Sequence, residues 1–146
     1  MPSIKTDKDA RPAALEANQK HDALIEAVDI VPTILDYCGQ QVPPIMQGRS
    51  FRPLLEGKGY TERSSAFMEQ KFPFGSSWKM IRTERYKYCT NRDGKELLYD
   101  LNEDPNELRD VGDRANYADA LHACRRELLS RWFDVQQEYP LRSAPY

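Results

Sequence analysis

The stretch that decides the fold is Tyr86–Leu101, which reads YKYCTNRDGKELLYDL. Two tyrosines and a threonine alternate with Lys87 and Cys89 in its first half, and this period of two is typical of a β-strand with one buried face. The middle reads NRDG, where Gly94 can adopt the positive φ that a tight hairpin turn requires. The alternation resumes over Leu97–Leu101, so the stretch predicts two antiparallel strands joined by a short turn.

Further strands are predicted before this hairpin, and a long helix after it. The candidate strands are Ala66–Gln70 and Trp78–Arg82, and the residues between them form a loop because they include Pro, Gly and two serines. The helix spans Tyr117–Gln137, where apolar residues recur at spacings of three and four. That apolar stripe consists of Leu121, Cys124, Leu128, Trp132 and Val135, and Trp132 is expected to be buried. We predict an α+β fold in which a small antiparallel sheet of three or four strands packs against the long C-terminal helix.

Two short helices are predicted in the N-terminal part of the chain. The first spans Asp29–Cys38, where Asp29 can accept hydrogen bonds from the N–H groups of the first turn. Its apolar face contains Ile30, Ile34, Leu35 and Cys38. The second is Ser50–Leu55, with the Ser50 hydroxyl as its N-terminal cap. The chain therefore divides into a polar N-terminal arm (1–22), a helical segment (23–60) and a sheet-containing region (61–146).

The composition argues against several classes of function. Lys and Arg together number 21, Asp and Glu 23, and the formal net charge of −2 gives no electrostatic case for nucleic acid or an anionic membrane. The chain has no apolar run approaching the roughly 18 residues that a membrane-spanning helix requires. Its first nine residues carry charges without an apolar segment, so we predict no signal peptide within the chain.

Cysteine and histidine are too sparse to predict a metal centre. The three cysteines, Cys38, Cys89 and Cys124, are odd in number and lie far apart, so neither a disulfide framework nor a zinc site is expected. The two histidines, His21 and His122, fall on separate elements, and a structural or solvent-exposed position is expected for both. We predict no catalytic, cofactor-binding or metal-binding residue in this chain.

Four stretches, taken in order, resemble the C-terminal region of the sulfatase family within the alkaline-phosphatase-like superfamily. They are VDIVPTIL at Val28–Leu35, MQGRSFRPLLEG at Met46–Gly57, IRTERYKY at Ile81–Tyr88 and LYDLNEDPNE at Leu98–Glu107. The resemblance covers roughly residues 23–137 and identifies the sheet-containing region as the family's C-terminal subdomain. One departure is Arg109-Asp110-Val111, where the family usually has Asn-Leu after the acidic turn.

The resemblance implies a sulfuric ester hydrolase, yet the catalytic motifs of that family are missing here. Sulfatases use a modified Cys or Ser in a Cys/Ser-x-Pro-x-Arg motif, and intact members resemble calcium-dependent enzymes. None of the three cysteines is followed by this pattern. The chain is therefore interpreted as the C-terminal part of a sulfatase-like hydrolase, truncated or fragmentary and inactive alone. The alternative is a stand-alone binding or assembly module that keeps the subdomain fold.

In the sulfatase family, loops of this subdomain can border the substrate cleft. This implies a role for the loop between the first two predicted strands, whose candidate border residues are Glu69, Lys71, Phe72, Phe74 and Trp78. A cationic patch of Lys79, Arg82, Arg85 and Lys87 is a second candidate for a sulfated ligand, with a solvated strand face as the alternative. Asp104 and Glu107 fall in a polar turn, so they are expected to be structural rather than catalytic.

The Asp29–Leu55 segment is predicted to mediate self-association. Its apolar side chains would face a larger domain in an intact sulfatase, and leaving them in water is unfavourable. A homodimer would cover them, because symmetric pairing is the commonest form of oligomer. The polar arm folding over the same face is the alternative. The sequence leaves the substrate and the cellular compartment open.

Overall fold

The computed structural model describes residues 18–71 and 77–136, and the chain divides into two compact units, Met1–Glu62 and Arg63–Tyr146. The first unit contains helices α1 and α2, and the second contains four strands and the long helix α3. The bounds of the helices are α1, Ile30–Tyr37; α2, Arg52–Leu55; and α3, Ala118–Val135. The strands are β1, Ser65–Gln70; β2, Trp78–Thr83; β3, Tyr86–Asn91; and β4, Glu96–Asp100.

The four strands form one antiparallel sheet in the order β1-β2-β3-β4, as the sequence predicts. The β3–β4 turn forms as its residues require, with Gly94 at a φ of 83°. The side-chain oxygen of Asn91 accepts the backbone N–H groups of Asp93 and Lys95 at 3.0 and 2.8 Å. The α+β prediction, with a sheet, a long C-terminal helix and short N-terminal helices, is confirmed.

The core of the second unit lies between the sheet and α3. Ile81, Tyr88 and Leu98 are directly opposed on β2, β3 and β4, and each is buried. Because opposed residues of adjacent strands point to the same face, they form one row of the core. Cys124 and Leu128 from α3 belong to the same cluster, which confirms the predicted stripe.

Trp132 is a correction to this prediction, because it is half-buried rather than buried. It stands near the end of α3, beyond the two buried positions of the stripe. One face of its indole receives the ammonium group of Lys79, which lies 5.4 Å from the ring centroid.

The segment after β4 closes that edge of the sheet. The Val111 N–H donates to the Leu98 carbonyl at 2.9 Å, and the Leu98 N–H donates to Oδ1 of Asp110 at 2.9 Å. The same Asp110 oxygen accepts the Gly112 N–H at 2.9 Å. Both backbone groups of Leu98 are therefore satisfied outside the β3–β4 ladder.

Two carboxylates of the acidic turn after β4 make hydrogen bonds within the fold. Asp100 accepts the Asn102 N–H at 3.2 Å and a hydrogen bond from Nη2 of Arg85 at 2.8 Å. Asp104 accepts the Arg109 N–H at 2.7 Å. These contacts use the carboxylates to hold backbone, which is the usual role of Asp around turns.

In the first unit, Asp29 does not cap the first turn of α1, which corrects the sequence prediction. Its side chain is fully buried, and its two oxygens accept the N–H groups of Glu26 at 2.9 Å and Arg49 at 2.8 Å. Thr33, one turn later, donates to the Asp29 carbonyl and accepts the Phe51 N–H at 3.0 Å. The inward face of α1 therefore carries polar groups beside the buried Pro32, and these groups bind the backbone of Arg49 and Phe51.

The apolar side chains of α1 are consequently left exposed. Ile30, Val31 and Ile34 have exposed fractions of 50%, 50% and 55%. Of the predicted apolar face, Ile30, Ile34 and Cys38 are exposed, and Leu35 is half-buried. No helix in the described part of the chain is long and apolar enough to cross a membrane.

Candidate substrate-contact site

A pocket of about 560 Å³ lies at the end of the sheet where the β1–β2 and β3–β4 connections are found. Its lining is contributed by three strands and their connections: Glu69, Lys71, Ser77, Lys79, Thr90, Asn91 and Arg92. All of these residues belong to the second unit. The meander creates the pocket because it brings both of these connections to the same end of the sheet.

The strand register explains how the central residues meet. Glu69 on β1 is opposite Lys79 on β2, and Lys79 is opposite Thr90 on β3. Directly opposed residues share a face of the sheet and lie close enough for their side chains to interact. These three residues therefore form a row across the sheet at the base of the pocket.

Glu69 is the electrostatic centre of this row. Lys79 donates a hydrogen bond to its Oε1, and Nζ of Lys71 lies 3.6 Å from its Oε2. The hydrogen bond from Lys79 holds the pKa of the Glu69 carboxyl below its usual value, because it stabilises the ionised form. The carboxylate is therefore charged at neutral pH, with an ammonium group on either side.

Lys79 and Lys71 differ in how firmly they are held. The Lys79 side chain is 27% exposed and lies against both Glu69 and the Trp132 ring, so two contacts fix its position. The Lys71 side chain is 74% exposed and approaches only one carboxylate oxygen. An exposed pair of this kind is worth at most about 1 kcal/mol, so Lys71 can exchange its partner at little cost.

Two of the five predicted border residues belong to the lining of this pocket. Glu69 and Lys71 line the pocket, whereas Trp78 lies one residue before Lys79 on β2 and therefore on the opposite face of the sheet. Phe72 and Phe74 lie outside the described residues. Thr90, Asn91 and Arg92 were not selected, although the NRDG turn places them at the same end of the sheet.

The predicted cationic patch does not form a single surface. Lys79 pairs with Glu69, Arg85 with Asp100 and Lys87 with Glu107. Arg82 is opposite Lys87 and lies on the other face from Lys79. Three of the four cations are consequently held in separate ion pairs, and Lys79 is the one of this set that lines the pocket.

Neither thiol of the second unit is activated as a nucleophile, and the described residues contain no group of metal ligands. Burial raises the pKa of the Cys124 thiol to about 11 and also raises that of Cys89, so both thiols are protonated at neutral pH. Within residues 18–71 and 77–136, no three His, Cys, Asp or Glu side chains are grouped so that they could hold a metal ion. What the pocket offers is charge and hydrogen bonds.

Residues 5–134 match the family described as "N-sulphoglucosamine sulphohydrolase, C-terminal". The chain is 30% identical over 137 residues to an N-acetylglucosamine-6-O-sulfatase of Bacteroides thetaiotaomicron, covering 88% of this chain and 24% of that protein. The chain therefore spans about a quarter of the length of this relative.

Solved structures show the same relationship. One is a protein in complex with its substrate D-glucosamine-2-N,6-O-disulfate, with a TM-score of 0.67 and 26% identity over 80% of this chain and 25% of that one. Another is the phosphonate monoester hydrolase of Agrobacterium radiobacter, with a TM-score of 0.62 and 32% identity over 73% of this chain and 25% of that one.

Proposed function

Because the chain belongs to the sulfatase family described as "N-sulphoglucosamine sulphohydrolase, C-terminal", we propose that it is the part of a sulfuric ester hydrolase that positions the substrate. The observation that carries the proposal is the family match over residues 5–134. The related N-acetylglucosamine-6-O-sulfatase is about four times as long as this chain, so the chain corresponds to one part of that enzyme. The nucleophile and the metal ligands would come from the remainder of such an enzyme, because this sequence contains no Cys/Ser-x-Pro-x-Arg motif.

The proposed substrate class is a sulfated glucosamine. Support comes from the names of two relatives, an N-acetylglucosamine-6-O-sulfatase and a protein solved with D-glucosamine-2-N,6-O-disulfate. The segment from Glu69 to Trp78 would border the substrate cleft, with Glu69 and Lys71 contributing the polar contacts. A pocket lined by charged and hydroxyl groups suits a sugar, which presents hydroxyls and anionic substituents together.

We further propose that the rest of the hydrolase covers the exposed side of α1. Ile30, Val31 and Ile34 each leave half or more of their surface in water, although the opposite side of the helix is engaged by polar contacts. Burying such side chains contributes about 25 cal/mol per Å² of apolar surface, which favours a protein partner over solvent.

The proposal is tested with the chain alone and with a chimera in which it replaces the C-terminal quarter of the Bacteroides thetaiotaomicron relative. We expect the chimera to hydrolyse 4-nitrophenyl sulfate and the isolated chain to leave it intact. Sulfatase activity that copurifies with the isolated chain and survives removal of calcium would contradict the proposal that catalysis requires the rest of the enzyme. A folded chimera without activity would favour the stand-alone module.

The α1 surface is tested in the same chimera. Ile34→Lys is expected to lower activity and soluble yield, since it places a charge where the catalytic part should pack. The matched control is Leu108→Lys, at an apolar residue that is 80% exposed in the second unit. Equal effects of both variants would argue against α1 as the docking surface.

Sedimentation equilibrium of the isolated chain, with and without residues 1–22, then separates a homodimer through Asp29–Leu55 from a monomer.

A further inference from the structure

We propose that the pocket at the end of the sheet binds a second sulfate group of the sugar, distinct from the ester that is hydrolysed. This inference rests on the proposed function, because it takes sulfated glucosamine as the substrate class. It assigns the pocket a ligand chemistry of its own and makes Lys71 its main specificity-determining residue.

The charge of the lining favours an anion. Lys71, Lys79 and Arg92 carry three positive charges, and Glu69 supplies the one carboxylate among the lining residues. The lining residues are therefore net positive, although the whole chain carries a formal charge of −2 and the exposed Asp93 carboxylate accepts a hydrogen bond from the lining amide of Asn91 at 3.2 Å. A sulfate oxygen that accepts hydrogen bonds from ammonium or guanidinium groups makes charge-assisted contacts, which are about twice as strong as neutral ones.

The nearby carboxylate of Glu96 does not cancel this charge. Glu96 is opposite Thr90 across β3 and β4, which places it next in the same row. Its carboxylate accepts two hydrogen bonds from the guanidinium group of Arg125 and one from the Tyr88 hydroxyl. These partners come from α3 and β3, so the Glu96 charge is already neutralised by contacts within the fold.

The arrangement around Glu69 provides a mechanism for selective binding. Lys79 stays in place because the Glu69 carboxylate and the Trp132 ring hold it, so it supplies a positioned charge. Lys71 only approaches Glu69 at 3.6 Å and is mostly exposed, so it can turn toward an arriving sulfate. The Glu69 oxygen that Lys71 leaves then becomes an acceptor for a sugar hydroxyl beside the sulfate.

This sulfate is not the one that reacts. The lining consists of one carboxylate, three cations, one amide and two hydroxyl groups. A hydroxyl becomes an effective nucleophile when a base or a metal ion activates it, and the only base in the lining, Glu69, is held by Lys79. The pocket can therefore orient a multiply sulfated sugar by a group that remains attached through the reaction.

The direct test measures binding to the full chain by backbone amide chemical shifts, with D-glucosamine-2-N,6-O-disulfate and unsulfated glucosamine as probes. We expect the disulfate to shift amides at residues 77–79 and 90–92, and glucosamine to leave them unchanged. Lys71→Ala should weaken binding about fivefold or more, which corresponds to about 1 kcal/mol, while Lys71→Arg stays within about twofold of the unchanged chain.

The control is Lys95→Ala, an exposed lysine in the neighbouring turn that does not line the pocket. An equal loss of affinity in Lys95→Ala and Lys71→Ala, or no localised shifts at all, would overturn the proposal, since binding would then be diffuse electrostatics or absent.

Kinetics of the chimera separate this proposal from the proposed function. Lys71→Ala should raise KM for the disulfate, whereas the control Lys95→Ala should leave both this KM and the hydrolysis of 4-nitrophenyl sulfate unchanged. An active chimera with no change in KM would overturn the second-sulfate site alone. A folded but inactive chimera would overturn the proposed function, and the chemical shifts of the isolated chain would still decide whether the pocket binds sulfate.

Discussion

Replacing Asp110 by alanine or by asparagine tests how the outer edge of β4 is held. A single oxygen, Oδ1, accepts both the Leu98 N–H and the Gly112 N–H, each at 2.9 Å. Alanine removes this acceptor altogether. Asparagine keeps a carbonyl oxygen in the same place and removes only the charge, so the two variants separate the hydrogen bonds from the electrostatics.

The expected magnitudes follow from the number of bonds. Each net hydrogen bond contributes about 1 kcal/mol, so Asp110→Ala should lower the free energy of unfolding by about 2 kcal/mol. For a unit of this size, that loss lowers Tm by roughly 10 °C. Asp110→Asn should cost no more than about 0.5 kcal/mol, because the exposed carboxylate gains little from its charge in water.

Urea unfolding measures the free energies, and amide hydrogen exchange at Leu98 reports the individual bond. The alanine variant should lose protection at the Leu98 amide, because its acceptor is gone, while the amide of Tyr88 in the adjacent strand stays protected. Asp113→Ala is the control, at an exposed carboxylate in the same loop. A large loss with asparagine, or equal losses at Asp110 and Asp113, would refute this account of the edge.

Three further predictions concern the first unit and the pH dependence of the second. Gly48→Ala should disrupt the first unit, because the added Cβ would lie 1.9 Å from the Val28 carbonyl oxygen, and the loss is measured as reduced hydrogen-exchange protection of the Arg49 amide. The control Gly59→Ala should have no effect, since a Cβ there has no neighbour within 4 Å. The hydrogen bond from Arg85 lowers the pKa of Asp100, so the ionised carboxylate stabilises the fold above its unfolded pKa of about 3.9, and this stabilisation is lost as pH falls. In Asp100→Asn, the urea midpoint should therefore fall less steeply as the pH is lowered. Burial and the hydrogen bond to Glu96 raise the pKa of Tyr88 to about 12, so the neutral hydroxyl stabilises the fold below about pH 10, and this stabilisation is lost as pH rises through 12. If the urea midpoint falls equally at alkaline pH in Tyr88→Phe, this explanation is wrong.

The second unit was largely predictable because its information is local. Alternation at Tyr86–Asn91 and the NRDG turn specify a hairpin without reference to the rest of the chain, and the stripe containing Cys124 and Leu128 specifies the helix face. The degree of burial was less predictable. Trp132 belongs to the same stripe, but its position near the helix end leaves it half-buried.

The first unit departed from prediction because its contacts are not local. Asp29 precedes a helix, which favours a capping role, yet its oxygens bind the backbone of Glu26 and, twenty residues away in sequence, Arg49. Helical periodicity identified the apolar residues of α1 correctly. It could not show whether the surface that covers them belongs to these 146 residues.

The pocket was partly predictable for a related reason. Glu69 and Lys71 adjoin a loop that composition alone marks as irregular. The role of Lys79 depends on register, since only the pairing of β1 with β2 places it opposite Glu69. Thr90 joins the lining because β3 pairs with β2, and Arg92 joins it because the β3–β4 turn lies at the same end of the sheet. Register arises from the whole sheet, and single-strand patterns do not contain it.

The closure at Leu98 also determines how this sheet can aggregate. Its backbone groups are occupied by residues 110 and 111, so an incoming chain cannot pair with β4 at Leu98. Within the described residues, no strand pairs with the outer side of β1. Opening the β4 edge would let an incoming chain pair there, which favours aggregation between edges.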